Sequence, residues 1–552
     1  MVRSSDRKWS CMRCTVWGAT VCLLLIGASA QGAEPPLHER IDQLIAAQFS
    51  RHGVQPAPLA SEAEFLRRVY LDLTGAIPTT ETTRRFLENP APHKRQQLID
   101  ELLASPEFAR RMQMVVDVLL MERRPDKHVP RAAWQDYLRT SFAENKPWDQ
   151  LVREILSNDG AEPKNRTPAK FFLDRDAEPH QITQDVGRLF LARNMQCAQC
   201  HDHPVVHDYL QEHYYGIFAF LDRSSLFTDP AKKLVMLAEK ADGETTFQSV
   251  FDPQKITKKT EPRLPGGKSL PDPSLPKGKE YQVKPAKDVR PVPTYSRRAL
   301  LAEQVVTSEA FRRNSANRFF AMMMGRGIVH PVDLDSKLNP PSHPELLDLL
   351  AAELAASQYD VKAFLRELAL SQTYQRSSEQ PSADKPVAAA SFAVAQLKPL
   401  SPEQLALSIL QATGFTDAER LALGANATEA ALYARQAASV NAIVNVFAGQ
   451  PGQAEDQSFE ATLDQTLFVT NGAVIRNLLA PRNGNLISRL APLTDADAIA
   501  DELFLSILTR PPTPTERQEV ASFLKDNADN RQAALQEITW ALLASAEFRF
   551  NH

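Results

Sequence analysis

Residues 194–216 read NMQCAQCHDHPVVHDYLQEHYYG. Cys197 and Cys200 stand at Cys-x-x-Cys spacing, His201 follows directly, and His203, His207 and His213 come soon after. Cys-x-x-Cys-His is the attachment pattern of a c-type haem. Two thiols about one turn apart reach the two vinyl groups on one edge of a porphyrin, and the adjoining His201 is placed under the iron as proximal ligand. His203 and His207 stay on that same side, so a distal ligand must come from elsewhere: His180, His128, Met112 or Met114. The same stretch also reads as zinc chemistry. Cys197, Cys200, His203 and His207 suit tetrahedral zinc, although the short Cys200-to-His203 spacing makes three of them plus a remote residue easier to assemble. A Cys197–Cys200 disulfide is a third reading. A packed turn, with its histidines bonded to backbone or to Asp202 and Asp208, is the fourth.

Which chemistry is accessible depends on where the chain goes. Arg3, Arg7, Lys8 and Arg13 precede an apolar run from Val16 to Ile26, which ends in Ala28-Ser29-Ala30. A basic start, a short apolar core and small residues make a signal peptide over residues 1–30, with cleavage expected after Ala30 or Ala33. The apolar core is about eleven residues, short of the roughly twenty a spanning helix needs. The expectation is an extracytoplasmic or periplasmic protein with no stable membrane span after cleavage. Three of the five cysteines, Cys11, Cys14 and Cys22, fall in that segment, so the motif holds both cysteines that remain. Two cysteines cannot staple a chain of 552 residues, so stability must come from ordinary core burial. The net charge is −4, and removing four basic residues and Asp6 leaves about −7. That argues against nucleic acid as a partner.

The elements that hold the motif are helical. QITQDVGRLFLARNMQ, directly before it, places Ile182, Val186, Leu189 and Phe190 at helical spacing. The same period runs through residues 36–222 and 294–552. Residues 223–293 instead are rich in Pro, Lys and Gly and lack it. The expected fold is mainly α: two helical domains with an extended, partly β insertion between them. Within the insertion, Asp242-Gly243 suggests the turn of a hairpin. The helical parts echo each other. LDLTGAIPTTE (71–81) returns as LSILTRPPTPTE (505–516), and LLASPEF (102–108) as LLASAEF (542–548). Looser echoes are VTSEAFRR at 306–313 and LALSQTYQR at 368–376. Capping residues are expected at Thr513, Ser401 and Ser342. MMMGRG (322–327) reads as a packed helix end, and Tyr214-Tyr215 with Phe218 and Phe220 as core.

These stretches carry a resemblance. FLRRVYLDLTGAIPTTE, LLASPEFARR and QCAQCHDHP resemble the cytochrome-like domain of a planctomycete-type family, PSCyt-type, a domain of unknown function. NRFFAMMMGRGIVHPVDLDSKLNPPSHPELLDLLAAEL and ALLASAEFRFNH are similar to its usual C-terminal partner, PSD-type. Where that family usually has DHPFDPW after the motif, this chain has DHPVVHDY, with the extra His207. The resemblance implies a CxxCH-bearing domain and assigns no activity.

No Gly-x-Ser-x-Gly, His-Glu-x-x-His or paired-carboxylate pattern is present, and PGGK at 265–268 lacks the strand and helix of a phosphate loop. Two functions stay open. One is electron transfer through a haem c on Cys197, Cys200 and His201, beside other exported redox or degradative proteins. The other is a non-redox binding or assembly role in an extracytoplasmic complex, with zinc or another metal at the same cluster.

Overall fold

Helix follows helix here through joints of one design. Ser105, Ser308, Ser371 and Ser545 each close one helix and cap the next. Each hydroxyl donates to the carbonyl three residues back, Leu102, Val305, Leu368 or Leu542, at 2.7–2.8 Å. It accepts from the N–H three residues on, Phe108, Phe311, Tyr374 or Phe548, at 3.1–3.3 Å. One side chain thus satisfies an orphan carbonyl and an orphan amide together. All four aromatics are buried, so each joint also plants a ring in the core. This is the physical content of the repeated Leu-Ala-Ser-x-Glu-Phe.

The computed structural model describes residues 34–382, 386–450 and 462–552. The segment read as a signal peptide, with Cys11, Cys14 and Cys22, lies outside them. The fold is mainly α, as expected. Its strands form two-stranded antiparallel pairs among the described residues. Within 223–293 these are β1 (Ser224–Thr228) with β2 (Val235–Glu239), β3 (Thr245–Phe247) with β4 (Lys258–Thr260), and β5 (Tyr281–Val283) with β6 (Val292–Pro293). A last pair joins β7 (Lys398–Pro399) to β8 (Phe550–Asn551). The insertion is therefore partly β, but the hairpin expected at Asp242-Gly243 does not form. β2 pairs backward onto β1, because Asp229 caps the nearer turn by accepting from Ala231 and Lys232 N–H.

The duplicated segments face each other. Helices Glu62–Thr74 and Thr80–Glu88 match Ala496–Ile507 and Pro514–Asp526. Gly75 and Thr509 both hold positive φ, at 79° and 63°, and Thr79 and Thr513 both cap the following helix. Thr80 Oγ1 lies 2.6 Å from Ser506 Oγ, and buried Arg67 donates to the carbonyls of Ile507 (3.2 Å) and Phe548 (2.9 Å). The capping boxes at Ser401 and Thr513 form as expected. Ser342 does not cap. Pro344 takes the first helical position of Pro344–Ala356, so His343 becomes the N-cap residue, and Ser342 bonds to the Ile328 carbonyl.

Residues 37–552 pack as one unit around two apolar clusters. The first draws on residues from Ile41 to Ala393. The second runs from Leu405 to Phe548 and takes in Leu71 and Ile77. The first bears on the motif. Helix Pro179–Leu191 lies against Glu309–Met324, fixed by Asn314 Nδ2 donating to the Leu189 carbonyl at 2.7 Å. Glu309–Met324 ends at Gly325 in the left-handed region, the packed terminus expected of MMMGRG. No helix of the described residues is long and apolar enough to cross a membrane.

Candidate functional site

Helix Pro179–Leu191 ends one turn before the motif. Ala192 takes a positive φ of 56°, and Arg193 N–H returns to the Gly187 carbonyl at 2.8 Å. Gly187 is required here, because a Cβ would sit 2.9 Å from the Arg193 carbonyl oxygen. The chain is then held from outside: Asn194 N–H donates to the Asp333 carbonyl and Asp335 N–H to that of Ala192, at 2.9 and 2.8 Å.

Residues Gln196–Gln199 form a single 3₁₀ turn. In that geometry positions i and i+3 lie over one another. Met195 and Ala198 share one side and are buried, which points Cys197 and Cys200 outward together. Both are free thiols exposed to solvent.

His201 follows with its Nδ1 2.6 Å from the Asp202 carbonyl oxygen. A carbonyl only accepts, so Nδ1 carries a proton, which in the neutral ring leaves the lone pair on Nε2. The His201 ring lies against Phe251, centroids 4.6 Å apart. Asp202 Oδ1 accepts the Gln211 amide at 2.7 Å, which begins helix Gln211–Phe218. The Gln211 side chain donates to the carbonyls of Gln199 (3.2 Å) and Gln248 (2.9 Å). Val250 N–H donates to the Cys200 carbonyl at 3.0 Å. The turn between β3 and β4 is thereby sewn to the motif. That contact, and Phe251 with it, was not visible in the sequence; its trace there is the apolar pair Val250-Phe251 inside an otherwise polar stretch.

The other histidines are placed differently. His203 Nδ1 accepts two amides of its own loop, Val205 (3.2 Å) and Val206 (2.9 Å). His207 is exposed. The structure does not bring Cys197, Cys200, His203 and His207 into one group, and among the described residues no three His, Cys, Asp or Glu side chains converge as a ligand set. His213 Nδ1 meets the Asp208 carbonyl at 3.2 Å, and burial lowers its pKa.

The four residues named as distal ligands have other surroundings. Met112 is fully buried in the first apolar cluster, and Met114 is half-buried. His128 Nε2 lies 3.4 Å from Asp176 Oδ1. His180 Nδ1 lies 3.0 Å from the Tyr214 hydroxyl, with its ring 4.5 Å from that of Phe218. Behind the motif Tyr214 and Phe220 are core residues, and burial raises the Tyr214 phenol. Two cavities stand out elsewhere, one beside Arg68, Tyr374 and Lys398 and one beside Val115, Trp148 and Phe319. Neither is lined by residues 194–216.

Two family models match the chain. PSCyt2, described as a protein of unknown function (DUF1549), matches residues 40–225. PSD1, likewise a protein of unknown function (DUF1553), matches residues 297–524. No curated protein and no solved structure matches. The first model spans the helices that carry the motif and ends just inside β1; the second begins at the first helix after β6. The chain therefore belongs to the proteins that pair a PSCyt2 domain with a PSD1 domain, which is the pairing its motifs resemble.

Proposed function

We propose that this is an exported electron-transfer protein that binds a haem c, which Cys197 and Cys200 would hold covalently and whose iron His201 would ligate. The observation that carries the reading is the arrangement of one turn: two unpaired, exposed thiols at i and i+3, followed by an imidazole whose Nδ1 is committed to a backbone carbonyl. Metal-bound histidines commonly donate their other N–H in this way, which fixes the tautomer and the ring plane and makes Nε2 more basic. The donor chemistry fits the group. Cys197 and Cys200 would hold it by adding S–H across its vinyl C=C bonds, sulfur to one carbon and hydrogen to the other, so no oxidant would be needed. Exposed thiols can reach such an edge without unfolding the turn. A haem held there supplies one-electron exchange at its iron. The chain's own residues orient it: Asp202 holds the imidazole, and Gln211 holds the carbonyl layer beneath. The leader-like N-terminal segment agrees with attachment after export.

The test is an absorption spectrum of protein made in a host that attaches c-type haem. The expected result is a Soret band that survives acid–acetone extraction and is lost when both thiols are removed in Cys197→Ala/Cys200→Ala. A colourless protein holding stoichiometric zinc would replace this reading with the metal-stabilised binding role.

A further inference from the structure

Four large apolar side chains left in solvent lie in the motif's own loop and in the turn bonded to it. Val205 is 61% exposed, Val250 65%, Phe251 74% and Ile256 51%. The first lies in the loop after His203, and the other three lie in the turn between β3 and β4. Single exposed apolar residues are ordinary, but Val250, Phe251 and Ile256 stand together on one short turn, a surface that a ligand can cover.

That turn is not a loose flap. Val250 N–H bonds to the Cys200 carbonyl at 3.0 Å. Gln211 bridges the Gln199 and Gln248 carbonyls. Phe247 stacks on Tyr215 with centroids 4.7 Å apart and planes 7° from parallel, and Phe251 rests on the His201 ring. The backbone is anchored while the apolar tips face out.

We infer that the β3–β4 turn is one wall of the haem site, with Phe251 as the residue that positions His201 and with Val250 and Val205 as the apolar surface the porphyrin covers. This rests on the haem reading of Cys197, Cys200 and His201. An occupant that covers these side chains and also bonds two thiols and an imidazole nitrogen must be largely apolar, with an edge that reacts with sulfur and a metal centre. A porphyrin meets those demands. A protein partner would cover the apolar tips and leave the thiol pair without a role.

Lys255 in this turn, with Lys258 and Lys259 at the start of β4, offers sites for trypsin. The experiment compares limited trypsin digestion of haem-loaded protein with that of the haem-free Cys197→Ser/Cys200→Ser chain. Cleavage after these lysines is expected to be at least several-fold slower in the loaded protein. Phe251→Ala should keep its covalent haem, lose this protection and shift the reduction potential downward, since a wetter site favours the oxidised, more charged iron; Phe251→Leu should restore both. Covalent haem in wild type with equal cleavage rates, and with a potential unmoved by Phe251→Ala, overturns this inference alone. A wild-type chain with no covalent haem overturns the underlying reading, and this inference falls with it.

Discussion

Asp72 and Lys398 meet inside the protein although 326 positions separate them: Lys398 Nζ lies 2.6 and 2.7 Å from the two carboxylate oxygens. The carboxylate also accepts from the Tyr374 hydroxyl (2.9 Å) and Asn551 Nδ2 (2.8 Å). Lys398 donates further to the Met323 carbonyl at 2.8 Å. One buried anion thus ties helix Glu62–Thr74 to β7, to β8 and to helix Glu309–Met324. Lys398→Met should cost about 3–5 kcal/mol, because it strands a buried charge rather than merely deleting a contact. Urea unfolding measures this. The double variant Asp72→Asn/Lys398→Met should recover much of the loss. A single variant as stable as wild type would mean the pair contributes nothing.

The serine joints make a second test. Ser105→Ala and Ser545→Ala each remove one hydroxyl that serves a helix end and a helix start. Each should cost about 1 kcal/mol or somewhat more. Ser342→Ala, at a position that does not cap, should cost less. Equal losses at all three sites would contradict the assignment of the joints.

Acid should weaken the fold through two histidines. Burial, then the charge of Arg67, lowers His552 to about 4. Burial also lowers His343, whose Nε2 has no hydrogen-bond partner among the described residues. In the unfolded chain both take up protons near the ordinary value of about 6.5. Their contribution to stability is therefore complete above that pH and is lost as the pH falls below it, for His552 over the window from about 6.5 to about 4. Melting temperature should drop across this window, and His552→Gln should flatten the drop. An identical pH profile in the variant would refute the role given to His552.

Local patterns were legible in the sequence, and long-range ones were not. The serine joints span seven residues and follow from hydroxyl geometry, so the repeat announced them. The helix before the motif followed from the 3.6-residue period. Ser342 misled because Pro344 competes for the first helical position and moves the cap by one residue. Asp242-Gly243 misled because Asp229 supplies a nearer turn for β2. At the motif, the spacing of Cys197, Cys200 and His201 was plain, but their shared orientation depends on Met195 and Ala198 being buried beneath. The approach of Phe251 to His201 joins residues fifty positions apart through a segment with no hydrophobic period, and only the packed structure shows it.

The central claim is that one turn holds a haem by two thioethers, and peptide mass spectrometry tests it most directly. Trypsin cuts after Arg193 and next after Arg223, so residues 194–223 leave as one peptide containing Cys197, Cys200 and His201. From protein made in a host that attaches c-type haem, this peptide is expected to carry the mass of one haem with both thiols consumed. Cys197→Ala and Cys200→Ala should each carry at most a single linkage. Recovery of the wild-type peptide with two free thiols, or with a Cys197–Cys200 disulfide and no haem, would contradict the account.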